Sequence, residues 1–319
     1  MSDTIDSRIL TFADDTKIVS PIQTVHDTIN LQANLDKIIK WSDTNNMKLN
    51  DKKFELICNK LSPDNCHLKL FKELPFHDKF CCYKASNDIA ILPSAHVRDL
   101  GVLVDTQLSW NTHITHIAVK ARQITGWILN VFHSRDKLPM LTLFNSLVRS
   151  KLEYCSVIWN PYLTKDINSI ENIQRSFTSR IKGMQLFNYW ERLVKLNIMS
   201  LQRRREKHLI IHLWKIKNNI YPNSIDITFK LNNRSQAIKA VIKPLPKIKG
   251  KILTIYDESF AVKSAKLWNI LPSRLTHIDN IKTFTAALNI FLSTIPDKPP
   301  IPGYPYTCNN SLTEISQLL

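Results

Sequence analysis

An α+β fold is predicted for this 319-residue chain by three observations. Short strand-like apolar runs dominate before residue 106, one long helical pattern interrupts them, and from Trp110 onward the hydrophobic period changes to the three- and four-residue spacing of helices. The organisation expected is hairpins plus one helix over residues 1–106, an all-helical module over 107–220, a basic region over 221–305 and a disordered tail over 306–319. With 44% hydrophobic residues the chain can bury a sizeable core.

Taken in order, Ile9 to Val19 places apolar residues on both sides of Asp14-Asp15, the pattern of a hairpin with carboxylates at its turn. Ser20-Pro21-Ile22-Gln23 reads as a capping box with proline at the first helical position, so a helix is expected to start there and to run through Val25, Ile29, Leu35, Ile38 and Ile39 to Trp41. Phe54 to Cys58 alternates imperfectly, as a strand does, and Ala90 to Leu92 is a second short strand. Val97 to Asp105 is a strand pair bent tightly near Gly101. The first helix of the next module puts Ile114, Ile117, Ala118, Ala121, Ile124, Ile128 and Val131 on one face. A second contains Leu141, Phe144, Leu147 and Val148, and a third aligns Ile167, Ile170, Ile173, Phe177 and Ile181. Five prolines between Pro296 and Pro305 favour an extended segment.

Composition excludes several function classes. The five glycines are scattered, whereas backbone cradles for nucleotide phosphates need them clustered, so dinucleotide and P-loop folds are ruled out. No stretch approaches the roughly 18–20 apolar residues that cross a bilayer, and Met1–Ser7 is polar and acidic, unlike a signal peptide. An intracellular location, nuclear or cytoplasmic, without membrane attachment, is expected, with the six cysteines reduced. Cys58, Cys66, His67, His77, Cys81 and Cys82 lack the spacing of a zinc site. His113 and His116 are expected at the surface, and Tyr189, Trp190 and Trp214 in the core.

Charge points to the class of partner. The chain carries 43 Lys+Arg against 27 Asp+Glu, a formal net charge of +16. Residues 200–253 hold 13 of the basic residues and only Glu206 and Asp226 as acids. Clustered basic charge is the footprint of phosphate contact, and Arg203, Arg204, Arg205 and Lys207 are the candidate nucleic-acid-binding residues; the alternative is a solvated helix face.

Phe12-Ala13-Asp14-Asp15 has two readings. Adjacent carboxylates on a tight turn can jointly hold divalent metal ions, and aspartate also simply favours turns. The order of motifs that follows resembles the reverse transcriptases of non-LTR retrotransposons, particularly the jockey-like group. The resemblance begins at Leu10-Thr11-Phe12-Ala13-Asp14-Asp15-Thr16-Lys17-Ile18 and continues through Leu35-Asp36-Lys37, Trp41 and Asn46-Met47-Lys48-Leu49-Asn50-Asp51-Lys52-Lys53. It extends over Asp99-Leu100-Gly101-Val102-Leu103-Val104-Asp105, Leu147 to Cys155, Tyr189-Trp190-Glu191-Arg192-Leu193 and Ser200 to Arg205. Ser259 to Lys263, Leu267-Trp268-Asn269 and Leu271-Pro272 resemble the family's tail, so the likeness spans roughly residues 9–304.

The resemblance implies a truncated reverse-transcriptase palm followed by an all-helical thumb and a basic tail. It implies RNA-directed DNA polymerase chemistry with Mg²⁺ held by Asp14 and Asp15, Asp14 the more direct ligand, and Lys53 beside the departing pyrophosphate. Leu100 and Gly101 would belong to the hairpin that grips the primer end. The partners implied are an RNA template, a DNA primer and deoxynucleoside triphosphates. The family also places a further metal-binding aspartate, the fingers and the nucleotide-selecting residues before the Asp-Asp hairpin. Asp3 and Asp6, in a polar terminus, do not match that aspartate. The expectation is therefore a C-terminal part that is inactive alone, completed by another polypeptide carrying the missing palm and fingers. The alternatives are a non-catalytic module binding RNA or RNA–DNA hybrid, and a decayed element product.

Overall fold

The computed structural model describes residues 7–47, 49–59, 83–86, 89–243, 251–295, 297 and 310–315. The chain packs as two units, Met1–Ser109 and Trp110–Leu319. Helices and small antiparallel hairpins alternate, an α+β composition in which every sheet among the described residues is two-stranded. No helix among the described residues is long and apolar enough to cross a membrane.

In the first unit, β1 (Arg8–Phe12) pairs antiparallel with β2 (Asp15–Val19), with Arg8 opposite Val19 and Phe12 opposite Asp15. Alternation sends Ile18 toward the core and leaves Leu10, Phe12, Asp15 and Lys17 on the outer face. The helix α1 (Val25–Thr44) begins four residues after the start expected from Ser20. Thr24 and Asp27 form the capping box instead, and the Asp27 carboxylate accepts from the backbone N–H of both Gln23 and Thr24, which also holds its pKa below the ordinary value. Ser20 spends its hydroxyl on Ser7, 2.6 Å away. The segment expected as a strand after residue 54 is instead preceded by a 3₁₀ turn at Asp51–Lys53 and makes one parallel bridge, Leu56 to Pro93. β3 (Tyr83–Lys84) and β4 (Ala90–Ile91) form a short ladder whose edge is closed by Gln32, its amide bonding both the N–H and the C=O of Lys84 at 2.8 and 3.0 Å. Leu35, Tyr83, Ala85 and Ile91 make the core, with Ile18, Leu31, Ile39, Phe54 and Leu56 packed around it. β5 (His96–Asp99) and β6 (Val102–Asp105) pair across the two-residue turn Leu100-Gly101, the bend that the sequence placed at Gly101.

The second unit is helical to residue 217. α2 (Asn111–Val131) buries Ile114, Ile117, Ala118, Ala121 and Ile128, as its period predicts, whereas Val131, expected on the same face, is exposed at the helix's last residue. His113, expected at the surface, is buried edge-on against Trp159, their rings 5.2 Å apart, because position 113 adjoins the apolar stripe. α3 (Lys137–Leu143), a π segment (Phe144–Arg149) and α4 (Ser150–Glu153) are continuous. Met140, Phe144, Val148 and Leu152 are all buried; a four-residue step drifts about 40° on an α-helix, and the wider π turn offsets that drift. α5 (Ser156–Trp159) and α6 (Thr164–Thr178) pack on α8 (Leu201–Lys217), and α7 (Tyr189–Leu196) packs on α6. On α6 and the residues after it, Ile167, Ile170, Ile173, Phe177 and Ile181 are all buried.

The unit does not end at residue 220. β7 (Ile227–Leu231) and β8 (Ile238–Ile242) form a hairpin that packs on α10 (Phe260–Asn269). The Asn269 amide pairs with the N–H and C=O of Ala240 at 2.9 and 3.0 Å. α9 (Lys251–Asp257), α11 (Ser273–Thr276) and α12 (Ile281–Thr294) complete this half. Trp214, Trp268, Leu271, Phe284 and Leu288 fill one core that begins on α8 and ends on α13 (Leu312–Ile315). Leu312 is only 2% exposed, so part of the segment expected as a disordered tail is a core helix. Amphipathic cues in four residues are too few to show this from sequence. The prolines from Pro296 to Pro305, and Cys66, His67, His77, Cys81 and Cys82, lie outside the described residues. Cys58 and Cys155 are in no disulfide.

Candidate functional site

The first unit displays the two carboxylates at its edge. Ala13 and Asp14 form the two-residue turn of the β1–β2 hairpin, with Ala13 at φ 52°, and Asp15 is the first residue of β2. Asp14 and Asp15 are both exposed. Two residues on, Lys17 lies on the same face as Asp15 and forms an ion pair with Asp99, the residue that enters the Leu100-Gly101 turn. This contact ties the second hairpin, at its turn, to the strand that carries Asp15. Leu100 at φ 45° and Gly101 at φ 86° both occupy the left-handed region, as a two-residue hairpin turn that follows the strand twist requires; this strains a leucine and suits a glycine. Lys53 is exposed at the end of its 3₁₀ turn, and no hydrogen bond or ion pair joins it to Asp14 or Asp15 among the described residues. Phe54 anchors it to the core that also receives Ile18 of β2.

The basic run divides into an inner and an outer half, a correction to the sequence reading. Arg203 and Arg205 are each 1% exposed, so neither can grip a phosphate. Arg205 donates to the Asn160 side chain at 3.2 Å, and burial pushes its pKa down against the pull of Glu171 and Glu206. Arg203 lies 3.9 Å from the Glu206 carboxylate, one turn along α8. Arg204 and Lys207 point the other way. Arg204 forks onto Glu153 of α4, with its Nη2 2.9 Å from Oε2. Arg149, at the end of the π segment, and His208, on α8, each lie 4.0 Å from the same carboxylate. Sequence reasoning missed Arg149, Glu153 and His208, since about fifty residues separate the two sides of the cluster and only folding joins them.

Beneath it the start of α8 is a closed polar network. The Glu171 carboxylate accepts from Tyr189 Oη, from Leu201 N at 3.1 Å and from Gln202 N at 3.2 Å, while Ser200 Oγ takes Arg203 N at 3.1 Å. Asp297 accepts from the N–H and the hydroxyl of Ser200 and from Asn310. Glu206 accepts from Leu312 N, which ties α13 to α8. Burial pushes the Glu206 pKa up to about 7, against the opposing pull of Arg203 and the Leu312 N–H, and the residue borders a cavity of about 250 Å³.

This has a pH consequence. Because the folded carboxyl binds its proton more tightly than the unfolded one at 4.5, the contribution of Glu206 to stability is full below pH 4.5 and is lost as pH rises through 7, on the order of 3 kcal/mol in all. Relative to Glu206→Gln, the native chain is expected to lose urea stability steadily between pH 5 and pH 8. A difference between the two proteins that stays constant over that range would show that Glu206 is ionised throughout.

No protein-family model matches the chain, and no solved structure does. A probable RNA-directed DNA polymerase from the transposon X-element of Drosophila melanogaster is 25% identical over 188 residues, which cover 57% of this chain and 19% of that protein. The chain is thus distantly similar to a transposon reverse transcriptase and spans less than a fifth of its length.

Proposed function

We propose that this chain handles nucleic acid as a C-terminal, jockey-like part of a non-LTR reverse transcriptase, contributing Asp14 and Asp15 to Mg²⁺-dependent nucleotidyl transfer without completing the reaction alone. The observation that carries this reading is the exposed Asp14-Asp15 pair at the β1–β2 turn, on a hairpin that the Lys17–Asp99 ion pair ties to the Leu100-Gly101 hairpin. Similarity to a transposon RNA-directed DNA polymerase supports the same class.

The donor set fits magnesium in one form. Mg²⁺ typically uses one or two carboxylates and fills the rest of its shell with water and substrate phosphates. Asp14 and Asp15, adjacent and exposed, offer such an open half-site; no third His, Cys, Asp or Glu joins them in a metal-holding group among the described residues. When bound, the ion would activate the primer hydroxyl and neutralise phosphate charge. The protein's own contributions are positional. Lys17 neutralises Asp99 and holds the second turn, Leu100 and Gly101 meet the primer end, and Lys53 protonates the departing pyrophosphate. Leu10 and Phe12, the latter 66% exposed, leave an apolar face beside Asp15 on which a polypeptide carrying the rest of the palm would pack.

The test is a primed RNA template with Mg²⁺ and deoxynucleotides. Expected are salt-sensitive binding of the RNA–DNA hybrid by the isolated chain, and no extension. Extension that disappears in Asp14→Ala would mean a complete active site and would overturn the need for a partner. Absence of hybrid binding at low salt would overturn the nucleic-acid reading itself.

A further inference from the structure

We propose that Arg149, Arg204 and Lys207 form a clamp for the phosphodiester backbone of a nucleic-acid duplex, with Glu153 as the strut that sets their geometry. The inference rests on the polymerase reading for the identity of the ligand, and on the charges themselves for the existence of a site.

Arg204, Lys207 and His208 share one face of α8, at spacings of three and four residues. Arg149 reaches the same place from the end of the π segment, and π turns inside α-helices recur at functional sites. All four side chains are half-buried around Glu153. One carboxylate faces three permanent cations, so two positive charges remain in excess when His208 is neutral. Glu153 is already engaged by the Arg204 fork. Arg149 has only its 4.0 Å approach to Glu153 and no hydrogen bond, and the Lys207 ammonium makes no hydrogen bond among the described residues.

The cluster is costly as it stands. Burial, and after it the charge of Arg204, hold Arg149 and Lys207 below their ordinary pKa values, and burial does the same to His208. A salt bridge built only for stability would match its charges, whereas this one gathers two guanidiniums and an ammonium, all half-buried, around a single carboxylate. An anion with several acceptor oxygens answers both needs, and guanidinium forks match phosphate oxygens in pairs. A polyanion is favoured over a small one because the surrounding chain carries +16 and adds long-range attraction that a single small ion exploits poorly.

Two probes separate the clamp from the polymerase reading. The first is binding of a short RNA–DNA hybrid by fluorescence anisotropy between 50 and 250 mM KCl, where each phosphate contact adds about one unit to the slope of log K against log salt. The second is thermal stabilisation by sodium tripolyphosphate. Lys207→Gln is expected to reduce the slope by about one, adding Arg149→Gln to reduce it by about two, and Lys207→Arg to restore it, which a merely structural lysine would not require. A hybrid slope that these changes leave untouched would overturn the clamp while the polymerase reading stands. Absence of hybrid binding together with tripolyphosphate stabilisation that Lys207→Gln abolishes would overturn both the clamp for a duplex and the polymerase reading, and leave a site for small polyphosphates only; failure of both probes would overturn both as well.

Discussion

Glu171→Ala is expected to destabilise the second unit by about 3–5 kcal/mol, because the change leaves buried partners unpaired rather than merely deleting an attraction. The first N–H groups of a helix have no partner within it. In α8 those of Leu201 and Gln202 are taken by Glu171 and that of Arg203 by Ser200, so every early donor is satisfied by a side chain. Alanine would strand two buried N–H groups, the Tyr189 hydroxyl and much of the compensation for Arg205. Urea unfolding followed by tryptophan fluorescence reports on this core through Trp159, Trp214 and Trp268. For a unit of this size the loss corresponds to a fall in Tm on the order of 10 °C. Glu171→Gln, which keeps one acceptor, should lose less. A cost below about 1 kcal/mol for alanine would show that water replaces the carboxylate, and that the network does not hold α8 in place. Since α8 also presents Arg204 and Lys207, the same variant should weaken hybrid binding.

Trp268→Ala is expected to cost a similar amount, about 3–5 kcal/mol. Its ring is fully buried, stacked 6.0 Å from Phe284 and edge-on to Phe229, and Phe284 in turn stacks 5.5 Å from Trp214. The indole N–H donates to Ile238 O at 2.8 Å, so alanine would remove both the filling of the core and the tie to β8. Amide exchange should then accelerate in β7 and β8 ahead of α6, which belongs to the other side of α8. Uniform acceleration over the whole unit would contradict that order and indicate one cooperative core. Leu267-Trp268-Asn269, which the sequence offers as a family signature, is thus explained by packing: tryptophan closes the core, and the Asn269 amide pairs with Ala240 as a neighbouring strand would.

Much of the local structure was legible because its signals are short-range. The isoleucines of α6 recur at helical spacing and are buried, and the β1–β2 hairpin turns at Asp14 with Asp15 beside it. The Leu100-Gly101 bend was readable from a lone glycine between valine-rich runs. The start of α1 was misread because two capping boxes compete within five residues. The one that wins has a carboxylate, whose negative charge draws two backbone N–H donors onto one oxygen and suits the N-terminal end of a helix, where a glutamine would bring no charge.

Residue type, spacing and net charge are properties of the chain, and they determined the α+β composition, the paired carboxylates on a turn and the basic character of the second half. Tertiary structure alone decided which of those charges face water. Arg203 and Arg205 turn inward because Glu171 and Glu206 wait there, while Arg204 and Lys207 turn outward to meet Glu153 and Arg149. Glu171 and Glu153 lie thirty or more residues from the α8 arginines they face, and no local pattern encodes which acid lies against which helix face. Burying a guanidinium is tolerable only when opposite charge and acceptors are already in place, so the sorting of the arginines could be read only once the helices had packed.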